Sequence, residues 1–91
     1  APHPQLLATS RHLTAAYSIQ EMAWQEEENT LSGQSKTVPG DRYTLYIHVP
    51  EGMNVQNVEA DAKTVMQEQK GNVLEVSFTG QKKPVSWSLV F

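Results

Sequence analysis

The sequence predicts an all-β domain, an antiparallel, immunoglobulin-like β-sandwich of about seven or eight strands. Apolar and polar residues alternate in three segments, and turn residues recur about every 8–12 positions. Strands do not alternate with helical segments, as they would in a parallel sheet. With 91 residues, 38% of them hydrophobic, the chain fits one domain with one core. We expect a lead-in over residues 1–4 and a single sandwich domain over residues 5–91.

The clearest predicted strand covers residues 42–49. Its large apolar residues alternate with polar ones, so a period of two places them on one face. Glycine and proline at 39–40 and at 50–52 are turn signals at both ends. The same alternation predicts strands over residues 73–79 and 85–91. We predict that the inward residues of these three strands share one core: Tyr43, Leu45, Ile47, Leu74, Val76, Phe78, Trp87 and Leu89.

The N-terminal part of the chain has weaker patterns. Two prolines keep residues 1–4 out of a central strand. A weak first strand follows over residues 5–10, with Leu6 and Ala8 on one face and Leu7 on the other.

Residues 11–28 allow two interpretations, a helix or one half of a hairpin. The hairpin places Met22 and Trp24 inward, turns at residues 27–29 and returns through Leu31. We favour it because residues 30–38 are rich in Ser and Thr, contain Gly33 and resemble an edge strand. The helix would be built on residues at helical spacing: Leu13, Ala16, Tyr17, Gln20 and Trp24.

The segments between the clear strands predict two further strands. Residues 53–60 form the first, where a bulge or a strand start near Asn57 would restore the alternation. A turn at residues 61–63 leads into a strand over residues 64–69. Gly71 and Asn72 suit the positive φ of the hairpin turn that follows.

Composition excludes several classes of function. Without cysteine there is no disulfide framework, no thiol catalysis and none of the common zinc motifs. A net charge of −3 without a basic stripe argues against nucleic-acid binding. No apolar run reaches the roughly 20 residues of a membrane helix, and no signal peptide is visible. Because the chain starts at Ala1 rather than at a methionine, we expect a mature or excised fragment.

No set of residues predicts catalysis, a metal site or a cofactor. His3, His12 and His48 lack the spacing of paired metal ligands. The carboxylates fall on predicted strands and turns rather than around a cleft of the kind that glycoside hydrolysis needs. They are Asp41, Glu59, Asp61 and Glu75. The acidic run at residues 26–28 is typical of a solvated turn.

Aromatic residues offer one candidate binding site. Sugar rings stack on exposed aromatic rings, and nearby polar groups bond their hydroxyls. Tyr46, with Thr44 and His48 on the same predicted outward face, is a candidate carbohydrate platform, although cross-strand packing is the favoured explanation of Tyr46. Trp24 and Trp87 lie on inward tracks and are expected in the core.

Four motifs resemble the C-terminal β-sandwich domains of exported glycoside hydrolases, in particular those of the α-galactosidase-like enzymes of gut Bacteroidetes. They are TLSG at 30–33, PGDRY at 39–43, LYIHVPEG at 45–52 and VSWSLVF at 85–91. The resemblance spans most of residues 5–91. It implies a secreted or periplasmic accessory domain that packs against the catalytic domain of the same parent chain. In such enzymes the catalytic carboxylates lie in a preceding barrel, so none is carried over to this chain.

Three hypotheses follow for the function. The first is a non-catalytic accessory domain that packs against its parent enzyme, which an exposed apolar patch would favour. A carbohydrate-binding module would need a shallow aromatic platform. An immunoglobulin-like interaction or adhesion module would need an open edge strand that accepts a partner strand.

Overall fold

The computed structural model describes residues 3–9 and 19–91, which form two four-stranded antiparallel sheets. Sheet I has the order β1-β4-β7-β6 and sheet II the order β2-β3-β8-β5. A short 3₁₀ turn, Glu26–Glu28, joins β2 to β3. This arrangement confirms the predicted antiparallel β-sandwich. The strands are β1 (Gln5–Thr9), β2 (Ile19–Gln25), β3 (Thr30–Ser35), β4 (Arg42–His48), β5 (Asn57–Ala60), β6 (Met66–Lys70), β7 (Val73–Thr79) and β8 (Val85–Val90).

The pairing of these strands is immunoglobulin-like. When β1, β4, β5, β6, β7 and β8 are labelled A to F in order, sheet I reads A-B-E-D and sheet II contains the neighbours C and F, as in immunoglobulin domains. Strand β3 takes the place of strand G beside β8. The β2–β3 hairpin is therefore inserted between strands A and B.

The core lies between the two sheets and confirms the predicted set. All eight predicted residues are buried, with at most 3% of each exposed, and Leu31, Val49 and Val85 join them. The rings of Tyr43 and Phe78, paired across β4 and β7, lie 5.4 Å apart. Strict alternation in β4, β7 and β8 thus fills the space between the sheets.

Several predicted turns and strand limits are confirmed. The hairpin interpretation is correct for residues 19–35, where Asn29 turns the chain with a φ of 49°. Strand β5 begins at Asn57. Gly71 has a φ of 60° in the two-residue turn between β6 and β7. His12 and Tyr17 lie outside the described residues.

The prediction that residues 30–38 form an edge strand is wrong. Strand β3 lies inside sheet II, between β2 and β8. Gly33 pairs with Trp87, and a Cβ at Gly33 would lie 2.8 Å from Cζ2 of that indole. The glycine therefore makes room for the Trp87 ring, whose Nε1 donates a 2.9 Å hydrogen bond to Oγ of the buried Ser35.

The predicted alternation fails in two of the four edge strands, β1 and β2. In β1 the register shifts between Leu6 and Ala8, so Leu6 pairs with inward Ile47 and Ala8 with outward Tyr46. In β2 it shifts between residues 20 and 23. Met22 is consequently 45% exposed rather than inward, whereas Trp24 is half-buried and packs on the core. An edge strand has one neighbour, so it accommodates the extra residue of a bulge.

Candidate functional site

The three predicted carbohydrate candidates lie together on the outward face of sheet I. Thr44, Tyr46 and His48 occupy alternate positions of β4, and each is half-buried. Tyr46 pairs with Ala8 on one side and with Glu75 on the other. The alternation therefore brings these side chains to one surface.

Charged groups on β6 and β7 border this surface. Nζ of Lys70 lies 3.3 Å from Oε2 of Glu75 and 4.0 Å from Oε1 of Glu68. The hydrogen bond to Glu75, followed by the negative charges of Glu75 and Glu68, raises the pKa of Lys70 above its ordinary value. Farther along, Arg42 donates a 2.9 Å hydrogen bond to Oγ of Ser77. The surface is thus polar, with paired charges.

Stacking on a sugar requires an open ring face. The Tyr46 residue is half-buried between its two neighbouring strands. The depression of about 330 Å³ beside it is lined by Thr44 and by residues of β6 and β7 rather than by aromatic rings. A carbohydrate role for Thr44, Tyr46 and His48 stays a prediction.

The other candidate groups are dispersed over the structure. Glu59 and Asp61 are exposed at and just beyond the end of β5, and Asp41 is exposed before β4. Within residues 3–9 and 19–91, no three His, Cys, Asp or Glu side chains are grouped so as to hold a metal ion. The ring of His3 stacks on that of Trp24, with centroids 5.5 Å apart and planes 9° from parallel.

A groove that the sequence analysis missed lies between the edge strands β1 and β2. It encloses about 330 Å³, and we call it the apolar groove. Met22, which lines it, is 45% exposed, and Leu7, the residue after groove-lining Leu6, is 55% exposed. The groove is lined both by exposed Met22 and by Leu31 of the core. Its lining residues are His3, Pro4, Gln5, Leu6, Met22, Ala23, Trp24 and Leu31.

Aromatic contacts fix one wall of the apolar groove. The indole of Trp24 lies between two rings, because His3 stacks on it and Phe91 lies 6.2 Å away at a 58° angle. Pro4 is fully buried beside it. No sequence signal could have revealed the groove, because Met22 faces it from a register shift in β2 that alternation does not predict.

Comparison with protein-family models, with curated proteins and with solved structures gives no match to this chain. No helix in the described part of the chain has the length and apolar character that a membrane crossing requires.

Proposed function

We propose that this chain is the non-catalytic C-terminal accessory domain of a secreted glycoside hydrolase, and that it packs against the catalytic domain of its parent chain through the apolar groove. The resemblance of the sequence supports the class of parent enzyme. The groove supports the packing, because it is lined mainly by apolar side chains, one of which, Met22, is exposed, and because exposed Leu7 adjoins its lining residue Leu6.

Exposed apolar side chains at neighbouring strands are the observation that carries the proposal. Single exposed apolar residues are common, but an exposed apolar residue at the rim of an apolar groove is typical of contact surfaces. Because Leu7 and Met22 are each about half exposed, covering either would contribute about half of the roughly 1.5–3 kcal/mol that burial of a fully exposed side chain gives. Contacts between domains of one chain are often of this mixed, moderately apolar kind.

Two matched methionines provide the test. Met22 borders the apolar groove, whereas Met66, 60% exposed, lies on β6 at the far edge of sheet I. In the polypeptide encoded by the whole reading frame, Met22→Glu should lower the melting temperature of the sandwich domain, because it places a charge in the contact. Met66→Glu should not. In the 91-residue chain alone, neither change should matter by more than about 0.5 kcal/mol.

Equal behaviour of the two variants in the full polypeptide would overturn packing through the groove. A reading frame with no catalytic domain before Ala1 would overturn the proposed parent enzyme. The two results are independent, so each part of the proposal is tested separately.

Hydrolytic activity gives a further test. The isolated 91-residue chain should hydrolyse no aryl galactoside above the uncatalysed rate. Turnover that a single carboxylate substitution abolishes would contradict an accessory role.

Carbohydrate binding is tested by titration with galacto-oligosaccharides. Saturable amide shifts at Thr44, Tyr46 and His48, lost in Tyr46→Ala, would replace the packing proposal with a carbohydrate-binding one.

A further inference from the structure

Strand β6 leaves an open edge on sheet I. It pairs with β7 on one side, and no strand of the described residues pairs with the other. All five of its residues, Met66–Lys70, are exposed. The other edges are less suited to pairing, because β1 and β2 carry register shifts and β5 has four residues. A bulge is one recognised way of blunting an edge, and β6 has none. Charged side chains are another, and β6 carries Glu68 and Lys70, so a partner strand must match their charges.

In β6, alternate residues direct their backbone N–H and C=O groups away from β7, toward the open side of the strand. Lys70 and Val73 pair across the two-residue turn at Gly71 and Asn72. The residues that close such a turn exchange hydrogen bonds, and bonded pairs then alternate along the ladder. Lys70, Glu68 and Met66 therefore bond to β7. The N–H and C=O groups of Gln67 and Gln69 point to the open side.

We propose that the β6 edges of two copies of this chain pair antiparallel about a two-fold axis at Gln69. The two Gln69 residues then exchange both backbone hydrogen bonds. Glu68 of each copy lies opposite Lys70 of the other, on the outward face of the joined sheet. This proposal rests on the edge alone and does not depend on the parent enzyme.

The two-fold axis can lie at Gln67, Glu68 or Gln69, the three residues inside β6. The charges on the strand favour the axis at Gln69. An axis at Glu68 places two carboxylates directly opposite each other, which destabilises a strand pair. An axis at Gln67 sets Glu68 against Met66 and gives it no cation. With the axis at Gln69, each Glu68 faces a lysine.

The charge pattern of a single copy supports the same register. Within one chain, Glu68 and Glu75 lie opposite each other and share Lys70, which is closer to Glu75. Lys70 of the second copy supplies the cation that Glu68 lacks at short range. The second copy therefore adds a cation beside two like charges that a single copy brings together.

Reciprocal charge changes test the pairing and its register. Sedimentation of the unaltered chain at up to about 1 mM should show its mass rising from 10.2 kDa toward twice that value. Glu68→Lys alone and Lys70→Glu alone should stay monomeric, because each sets like charges opposite. An equimolar mixture of the two variants should form a heterodimer, because each Glu then faces a Lys. A mixture that stays monomeric would overturn this register.

A backbone change provides the second test. Gln69→Pro removes the backbone N–H that points to the open side of β6. Proline is tolerated on an edge strand where that group faces solvent. It should weaken the dimer at least about tenfold, since two hydrogen bonds are lost. Gln69→Ala keeps the N–H and should leave the dimer intact, and circular dichroism checks that both variants are folded. A monomeric unaltered chain at the highest concentration, or a dimer unaffected by Gln69→Pro, would overturn the proposal.

Discussion

The central strands and the edge strands of this sandwich differ in how their side chains are used. In β4 and β7, every second residue is buried and the seven paired positions are in continuous register. In β1 and β2 the register shifts, and Leu7 and Met22 are exposed. The two regions use the same types of apolar residue to different ends.

The difference shows what determines the register of a strand. A central strand is hydrogen-bonded to a neighbour on both sides. Because its side chains alternate between the two faces, a one-residue slip would turn its apolar residues toward water. An edge strand is held on one side only and accepts a bulge. Alternation in the centre builds the core, whereas the register shift in β2 leaves Met22 exposed at the apolar groove.

Identical leucine substitutions in the two regions should produce the largest contrast. Leu45 is fully buried and Leu7 is 55% exposed. Leu45→Ala should destabilise the domain by about 2–5 kcal/mol, because it leaves a cavity. Leu7→Ala should change stability by no more than about 0.5 kcal/mol. Urea unfolding of both variants measures the difference, and similar losses would contradict the distinction between centre and edge.

A smaller effect is expected at the contact between Gly33 and Trp87. Gly33→Ala should destabilise the domain by about 1–3 kcal/mol, because the new methyl group meets the indole. In a Trp87→Phe background, which lacks the contacting ring atoms, the same change should destabilise the domain less. Thermal unfolding of the four chains gives the coupling. Equal losses in both backgrounds would show that the indole is not what requires glycine.

The smallest effect is expected at Lys70, on the surface. Its pKa is raised chiefly by the hydrogen bond to Glu75. Because the folded-state pKa lies above the unfolded value, this contribution to stability is fully present below the ordinary value of 10.5. It is lost as the pH rises through the folded-state pKa. NMR titration of the Lys70 side chain should show the raised pKa, and Glu75→Gln should lower it. Glu59→Gln, on the other sheet, should leave it unchanged.

Sequence reasoning reached the parts of the fold that local patterns determine. The core residues, the β6–β7 turn at Gly71 and the start of β5 followed from alternation and turn chemistry. The place of β3 did not, because Gly33 is as consistent with an edge as with a close approach by Trp87. The apolar groove was also beyond reach, since pairing between distant strands decides where a bulge forms.

Hydrogen exchange tests most directly the claim that the apolar groove is a contact surface. Amide exchange should be compared between the 91-residue chain alone and the polypeptide encoded by the whole reading frame. We predict that Leu6, Leu7 and the residues of β2 around Met22 become protected in the full polypeptide, while the amides of β4 and β7 exchange equally slowly in both. Unchanged exchange along β1 and β2 would contradict the account.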